Sequence, residues 1–384
     1  MNTETPRVFV AATRQNDGKT TTSLGLFAAL KKRLGRIGYI KPVGQRFVEI
    51  EGLQIDEDTM LMDNTFHVQV PLADMSPIAI EPDFTRRYIE HANNDFLVKR
   101  LQNSFDRAAW EKEFVIIEGS GHAGVGSVFD LSNARVAKLL GAKVIMVSGG
   151  GIGKPIDELA LNKALFDQEG VEVAGVILNK VLPKKLDYVA DFARRGLARL
   201  GLDLLGCVPD ERMLAAPELT QISETIDGEF LHAPGDLRRR VQHVMIGAMS
   251  SGHVVEEFRP GTLVITPGDR EDIILAALSS HSLNCPAPPP DSDTDESDGR
   301  RGKASMVVGI VLSGNLRPHA SILELIKASD VPVMTSPLDS FTVASSIHSM
   351  TVKTLPGDHE KIDRIQSIIE QYVEVDRLLD KVRG

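Results

Sequence analysis

The segment Thr13-Arg14-Gln15-Asn16-Asp17-Gly18-Lys19-Thr20 decides how this chain folds. It follows an apolar run at residues 7–13, which predicts a β-strand, and it leads into a stretch with helical spacing at residues 19–34. A Gly-Lys-Thr sequence between a strand and a helix is typical of a phosphate-binding loop, although Thr13 stands where that loop usually has its first glycine. The backbone amides and the dipole of the following helix favour a polyphosphate there. The alternative interpretation is an ordinary strand-to-helix turn.

Further apolar runs follow the loop, at residues 114–117, 143–147 and 173–178, and each is followed by a helix-compatible segment. Strands that alternate with helices predict a parallel sheet that is covered by helices on both faces. We therefore expect an α/β domain of the P-loop class over residues 1–212.

The remainder, residues 213–384, is predicted to form a second, smaller α/β domain. Two similar units within it each consist of a strand, a glycine turn, an arginine and a helix, with the strands at residues 262–266 and 307–312. An internal duplication is one interpretation of this pattern. The final stretch, Asp358 to Leu379, has the apolar spacing of an amphipathic helix.

A segment at about residues 285–303 interrupts the second domain. It contains four prolines between residues 286 and 290 and five acidic residues between residues 291 and 298. Such a composition cannot bury apolar surface, so we predict a disordered insertion. An acidic segment that binds a partner is the alternative.

The overall composition excludes several classes of protein. Hydrophobic residues make up 42% and charged residues 25% of the chain, which is typical of globular proteins. The net charge of −10 without a basic block argues against nucleic acids and anionic membranes as partners. Cys207 and Cys285 stand too far apart for a metal knuckle. Because no signal segment or long apolar run is present, we expect a cytoplasmic protein.

The chemistry is expected at the loop and at the ends of the following strands. Lys19 is predicted to contact the β- and γ-phosphates of ATP, and the Thr20 hydroxyl suits Mg²⁺. Glu118 follows the 114–117 strand and is a second candidate for Mg²⁺, together with Asp58 or Asp56. For that aspartate pair, a solvated acidic turn is the alternative. The loop residues predicted to surround the nucleotide are Thr13, Asn16, Asp17, Gly18, Lys19, Thr20 and Thr21.

Seven short motifs occur along the chain in a recognisable order. The first four are Ala12–Thr20, Tyr39–Val43 (Tyr-Ile-Lys-Pro-Val), Ile117–Gly121 (Ile-Glu-Gly-Ser-Gly) and Gly175–Lys180 (Gly-Val-Ile-Leu-Asn-Lys), and the last three are Pro260–Arg270, Gly309–Gly314 and Ser346–Met350. In order and spacing the first four resemble dethiobiotin synthetase, and they equally resemble the synthetase-like N-terminal half of long phosphate acetyltransferases. The last three resemble the DRTGG domain that accompanies that half.

The resemblance implies roles for individual residues. Lys41 matches the second active-site lysine of the synthetase, where a cation suits the charge that develops in phosphoryl transfer. Asn179 matches the residue that recognises the base. Gln45 replaces a serine of the synthetase, and Gly149–Pro155 does not match its substrate loop. The nucleotide half of the site is therefore predicted to be retained and the organic-substrate half to be rewritten.

In the second domain, Arg270 and Arg317 follow glycine turns at predicted helix N-termini, and this makes them a candidate anion site. The alternative is that these arginines pair with nearby acids such as Asp269, Glu271 and Asp272.

These observations predict an ATP- and Mg²⁺-binding protein that senses a nucleotide or metabolite and regulates a process. The alternative is an ATP-dependent ligase for a small carboxylate or amine other than the biotin precursor, and a third hypothesis is a dimerisation scaffold with a vestigial loop. Because the sequence ends at Gly384, we expect acetyl transfer to lie outside this chain. The resemblance also implies a homodimer with the nucleotide site near its interface, to which Leu159, Leu161 and Leu165 would contribute.

Overall fold

The computed structural model describes residues 2–282 and 306–384, so the insertion predicted at about residues 285–303 lies outside the described residues. The chain divides into two compact units. The first unit contains the residues up to Glu211 together with Thr354–Gly384, and the second unit contains Arg212–Lys353. The predicted boundary near residue 212 agrees with this division. The assignment of residues 354–384 to the second domain is wrong, because this segment returns to the first unit.

The first segment of the first unit alternates strands and helices. Its elements are β1 (Arg7–Ala12), α1 (Lys19–Leu34), β2 (Ile37–Ile40), β3 (Val43–Gly44), β4 (Phe47–Ile50), β5 (Leu53–Asp56), α2 (Glu57–Phe66), α3 (Leu72–Met75), β6 (Ile78–Ala79), α4 (Phe84–Glu90), α5 (Asn94–Ala108), β7 (Phe114–Glu118), α6 (Asn133–Leu139), β8 (Lys143–Gly149), α7 (Lys154–Glu169), β9 (Val173–Val181), α8 (Leu186–Ala198) and β10 (Leu204–Pro209).

Six of these strands form one parallel sheet in the order β10-β9-β8-β1-β7-β2. Strand β1 lies inside the sheet, with Val10 opposite Glu118 on one side and Ile145 on the other. All six residues of β1 are buried, as expected for a strand that is covered on both faces. The predicted parallel α/β fold is thus confirmed. Because the strands run the same way, the loops after β1, β2, β7, β8 and β9 share one edge of the sheet.

Helix α1 begins directly after the phosphate loop and has the composition of a stable helix. Its middle is rich in alanine and leucine, and it ends at Gly35, whose φ of 86° suits glycine. Basic residues occupy the last turn, where they complement the helix dipole, and no acidic residue lies in the first turn. The first turn of α1 therefore adds no negative charge of its own to the positive end of the helix.

The second unit is built around a five-stranded sheet. Its elements are α9 (Arg212–Ala215), α10 (Leu219–Thr225), β11 (Glu229–His232), β12 (His243–Ile246), α11 (Ser251–Glu256), β13 (Thr262–Pro267), α12 (Glu271–Ser282), β14 (Val307–Ser313), α13 (Ala320–Lys327), β15 (Val333–Thr335) and α14 (Ser340–Ser349).

The strand order of this second sheet is β11-β15-β14-β13-β12, with β11 antiparallel to β15 and the other pairs parallel. Alternate residues of β13 and β14 point to opposite cores. One core packs against α11, α12 and α13, and the other packs against α10 and α14. The two strand–helix units that suggested a duplication are β13–α12 and β14–α13. Their strands are neighbours in the sheet, and their helices pack on the same face of it.

The chain ends in two helices, α15 (His359–Tyr372) and α16 (Val375–Arg383), where the sequence predicted one. The break occurs at Val373, which pairs with Gly206 of β10 at the edge of the first sheet. Helix α15 packs on α1, and a Cβ on Gly25 would lie 2.3 Å from Cγ1 of Ile369. Arg33 of α1 adds ion pairs to Glu370 and Asp376. The apolar stripe of α15 is thus buried against α1, the helix that follows the phosphate loop. This packing explains why residues 354–384 belong to the first unit.

None of the helices within residues 2–282 and 306–384 is long and apolar enough to cross a membrane.

Candidate functional site

The phosphate loop, residues 13–18, is folded by hydrogen bonds within itself. The Thr13 hydroxyl donates to Oδ2 of Asp17 at 2.8 Å, and the backbone N–H of Arg14 donates to the same oxygen at 2.9 Å. Asn16 and Gly18 have left-handed backbones, with φ values of 68° and 96°. Thr13 and Asp17, both predicted to bind nucleotide, therefore shape the loop, and their side chains are already engaged by it.

Lys19 stands out at the start of α1. Its side chain is only 8% exposed, yet it makes no hydrogen bond or ion pair with any residue that the structure describes. Burial and the nearby charge of Lys41 lower the pKa of Lys19, and the charges of Glu118 and Asp58 oppose that shift. A buried ammonium without a partner at a helix N-terminus is the local arrangement that an incoming anion would complete.

Thr20 and Glu118 come together as the sequence predicted. Glu118 is the last residue of β7 and is fully buried. Its Oε1 accepts a hydrogen bond from the Thr20 hydroxyl at 3.0 Å, and its Oε2 accepts one from the Tyr39 hydroxyl at 3.1 Å. Burial and the charge of Glu118 raise the pKa of Tyr39, so the phenol stays protonated and donates. Thr21 lies beside them in the first turn of α1 and is partly exposed.

Lys41 follows β2 and joins the carboxylates of this site. Its ammonium donates to Oε1 of Glu118 at 2.9 Å and to Oδ2 of Asp58, and it lies 4.0 Å from Oδ1 of Asp56. Burial by itself lowers the pKa of Lys41, but the three carboxylates raise it more, so the net shift is upward. Lys41 is therefore a permanently charged, buried cation at the edge where the strands end.

The two candidate aspartates have different surroundings. Asp56 caps α2 by accepting the N–H of Asp58 at 3.0 Å, and burial raises the pKa of Asp56 to about 6 against the opposing charge of Lys41. Burial also acts to raise the pKa of Asp58, but the charge of Lys41 and the hydrogen bond that Lys41 donates lower it further. Asp58 is thus the ionised carboxylate that adjoins Thr20 and Glu118, while Asp56 holds the helix end.

The side-chain oxygens near Thr20 can be compared with those that metal ions require. Over the described ranges, no group of three or more His, Cys, Asp or Glu side chains is arranged to hold a metal ion. The predicted set instead combines a hydroxyl with two carboxylates, from Thr20, Asp58 and Glu118. Hard oxygen ligands of this kind suit Mg²⁺, which usually takes only one or two carboxylates and completes its shell with phosphate and water. The residues therefore fit Mg²⁺ bound with a polyphosphate.

Asn179 and Lys180, at the end of β9, contact the phosphate loop. The Asn179 side chain donates from Nδ2 to the backbone oxygen of Asp17 at 3.0 Å, and Nζ of Lys180 donates to the backbone oxygen of Asn16 at 2.9 Å. The amide nitrogen of Asn179, predicted to recognise the base, is thus committed to the loop. Sequence reasoning assigned no role to Lys180, although the Asn-Lys pair at a strand end was visible.

The two arginines predicted as an anion site in the second unit have different surroundings. Arg270 forms two hydrogen bonds to the carboxylate of Asp272, at 2.9 and 3.1 Å, and a third to the backbone oxygen of Met249. This is the acid pairing that the sequence left open as the alternative. Arg317 lies in the loop after β14 and forms no ion pair within the part of the chain that the structure describes.

Comparison with known families agrees with this architecture. The family model described as an AAA domain, AAA_26, matches residues 6–218, which is more than half of the chain. The chain belongs to this AAA domain family. A DRTGG domain model matches residues 221–350, so the AAA domain is followed by a DRTGG domain, as the motifs predicted.

Curated relatives of this AAA domain protein match almost the whole chain. A phosphate acetyltransferase of Pseudomonas aeruginosa is 28% identical over 96% of this chain and 51% of its own length. Those of Nitrosomonas europaea and Synechocystis are each 25% identical and cover 97% and 99% of this chain. The chain spans about half the length of the curated relatives it matches. The predicted resemblance to long phosphate acetyltransferases is confirmed.

Solved structures with similar folds are more distant. The septum site-determining protein MinD with Mg-ADP from Pyrococcus horikoshii is 14% identical, with a TM-score of 0.34 over 55% of this chain and 83% of its own. The CBS and DRTGG domains of the regulatory region of Clostridium perfringens pyrophosphatase, complexed with diadenosine tetraphosphate, are 24% identical. Their TM-score is 0.28, over 39% of this chain and 53% of theirs.

Proposed function

We propose that the AAA domain binds ATP together with Mg²⁺, and that the chain is a nucleotide-sensing regulatory protein whose DRTGG domain responds to the bound state. The observation that carries the proposal is Lys19, a cation buried at the N-terminus of a 16-residue helix with no ion pair among the described residues. Burying an ammonium is costly unless a counter-charge is supplied, and a polyphosphate supplies it.

The other residues then take defined positions around the nucleotide. Lys19 binds the β- and γ-phosphates, and Thr20, Asp58 and Glu118 are the oxygens that would hold Mg²⁺. The metal would neutralise phosphate charge when bound. Lys41 supplies a second cation, and its ion pairs with Asp58 and Glu118 hold those carboxylates in place.

The loop after β8 supports sensing over ligation. In dethiobiotin synthetase, which these motifs resemble, the corresponding loop binds the organic substrate. Here a Cβ on Gly150 would lie 2.7 Å from the backbone oxygen of Lys180, and one on Gly149 would lie 3.5 Å from the guanidinium of Arg14. The loop therefore packs closely beside the phosphate loop and its supports. A loop packed in this way favours a regulatory nucleotide site over a ligase site, in which the loop would bind an organic substrate. The relatives that match both domains along this whole chain favour the same interpretation.

An ATP-dependent ligase remains the second candidate because of Lys41. A buried cation beside the candidate metal oxygens is suited to the charge that develops on a transferring γ-phosphoryl group. In that case ATP would be consumed only in the presence of a small carboxylate or amine.

The resemblance to dethiobiotin synthetase implies a homodimer. We include this in the proposal as a prediction, with the nucleotide site near the dimer interface. Of the leucines expected to contribute, Leu159 is fully buried within its own unit, whereas Leu161 is 75% exposed and available to a second copy.

Isothermal titration of ATP and Mg²⁺ into the chain tests the proposal. Lys19→Ala should weaken binding by at least about tenfold, the scale of one charge-assisted contact. Lys32→Ala is the matched control, since Lys32 is an exposed lysine near the far end of the same helix. Equal affinities for wild type and Lys19→Ala, or no binding by wild type, would refute ATP binding at this loop. Rapid ADP release that depends on an added carboxylate or amine would favour the ligase.

A further inference from the structure

We propose that Asn179 and Lys180 form a clamp that holds the phosphate loop in its anion-receiving shape, as positioning residues and not as readers of the base. The proposal rests on the proposed function for the identity of the ligand. Two consecutive side chains at the end of β9 bind two consecutive carbonyls of the loop. Asn179 binds the Asp17 oxygen at 3.0 Å and Lys180 binds the Asn16 oxygen at 2.9 Å.

The clamp determines where two backbone amides point. In a planar trans peptide, the C=O and N–H groups point in opposite directions. Drawing the carbonyls of Asn16 and Asp17 towards β9 therefore turns the N–H groups of Asp17 and Gly18 away from it. Neither N–H has a hydrogen-bond acceptor among the residues that the structure describes. They lie next to Lys19 at the start of α1, where amides of this kind receive phosphate oxygens.

The close fit beneath the loop supports this role. A Cβ on Gly18 would lie only 2.0 Å from Nδ2 of Asn179, so the amide occupies space that any other residue at position 18 would need. The clamp also maintains uncommon backbone conformations, since Asn16 and Lys180 have φ values of 68° and 57°. Asn179 is 5% exposed, whereas Lys180 is at the surface. One arm of the clamp is thus buried, and the other is accessible to substitution without loss of the core.

The experiment uses the full chain and two ligands with Mg²⁺, ATP and inorganic triphosphate, which has no base. Lys180→Met should weaken both ligands by about fivefold to tenfold, because it removes one charge-assisted hydrogen bond from the loop. Asn179→Ala should also weaken both equally. Lys185→Met, at an exposed lysine five residues further on, is the control and should change neither. Lys180→Arg keeps the donor and should recover most of the affinity.

A measurement without any ligand separates this proposal from the proposed function. In the nucleotide-free chain, amide hydrogen exchange at Arg14, whose N–H donates to Asp17 within the loop, should be about fivefold faster in Lys180→Met than in Lys185→Met, because the loop has lost one anchor. Equal exchange and equal affinities in those two variants would overturn the clamp. If Asn179→Ala weakens ATP but not triphosphate, Asn179 reads the base and its part of the clamp is wrong. If wild type binds neither ligand, the proposed function fails, while the exchange result still decides the clamp.

Discussion

Two helices of this protein, α1 in the first unit and α12 in the second, begin after a parallel strand and a glycine turn, and each has a basic residue at its start. The first turn of α1 contains no acidic residue, and Lys19 has no ion pair within the described ranges. The first turn of α12 contains Glu271 and Asp272, and Asp272 pairs with Arg270. The same local topology thus leaves the lysine of α1 without an ion pair in the described residues, whereas the arginine before α12 is neutralised by an acid from the first turn of that helix.

The charges around the two helix starts differ as well. In the first unit the carboxylates near Lys19 are engaged by a second buried cation, Lys41, and three acids share that cation. In the second unit a single exposed arginine is engaged by a single exposed acid. Breaking a buried ion pair lowers the stability of a protein far more than breaking an exposed one, so substitutions of the two cations can test this difference between the units.

The largest expected effect is that of Lys41→Met. Lys41 is the cation that all three carboxylates share, so its removal leaves buried charges uncompensated and should lower the free energy of unfolding by about 3–5 kcal/mol. Urea denaturation measures this change, and added Mg²⁺ should restore part of it because the metal can replace the lost cation. The counterpart Arg270→Met removes an exposed pair and should leave the melting temperature unchanged within about 2 °C. Comparable losses in the two variants would remove the distinction between the units.

The next expected effect is a change of stability with pH, and its sign is opposite for one aspartate in each unit. The pKa of Asp56 is raised from its ordinary value to about 6, mainly by burial. Wild type should therefore lose stability relative to Asp56→Asn as the pH rises through about 6, by on the order of 2 kcal/mol. Asparagine keeps the cap of α2, so the variant should still fold.

Asp339 is the matched residue in the second unit, where it caps α14. Hydrogen bonds from the Thr342 side chain and from backbone amides lower the pKa of Asp339. Its contribution is therefore present at neutral pH and is lost as the pH falls, so wild type should lose stability relative to Asp339→Asn on acidification. Denaturation curves for both variants between pH 3 and pH 8 check the two signs. The same sign in both would contradict the assigned environments.

The sequence predicted which residues lie close together where strand ends alone decide position. Thr20 comes after β1, Lys41 follows β2 and Glu118 ends β7, so their meeting at one edge of the parallel sheet follows from the alternation of strands and helices. The fold class followed from the same alternation. Choosing between Asp56 and Asp58 needed coordinates, because both lie at the start of α2 and only the local turn decides which one caps the helix.

The rest depended on contacts between distant segments. The apolar stripe in residues 358–379 indicated a buried helix face but not the surface that covers it, which is α1 at Gly25. Periodicity likewise could not show that Asn179 points under the phosphate loop. In the second unit, the Arg270–Asp272 pair was one of two local options, and single-sequence reasoning gave no way to rank the helix dipole against an adjacent carboxylate.

The smallest expected effect would convert one region towards the other. If acidic residues in the first turn are what close α12 to anions, Glu271→Gln with Asp272→Asn should release Arg270 and open the helix N-terminus. The gain should be about 0.3–1 kcal/mol for a bound anion, the usual strength of the helix dipole near the surface. High millimolar phosphate should then slow amide exchange at residues 269–274 in the double variant and not in wild type. Glu256→Gln with Glu257→Gln removes the same charge at the C-terminus of α11, where an anion gains nothing from the dipole. An equal response in that control would show that net charge, and not the position of the acids in the helix, separates the two units.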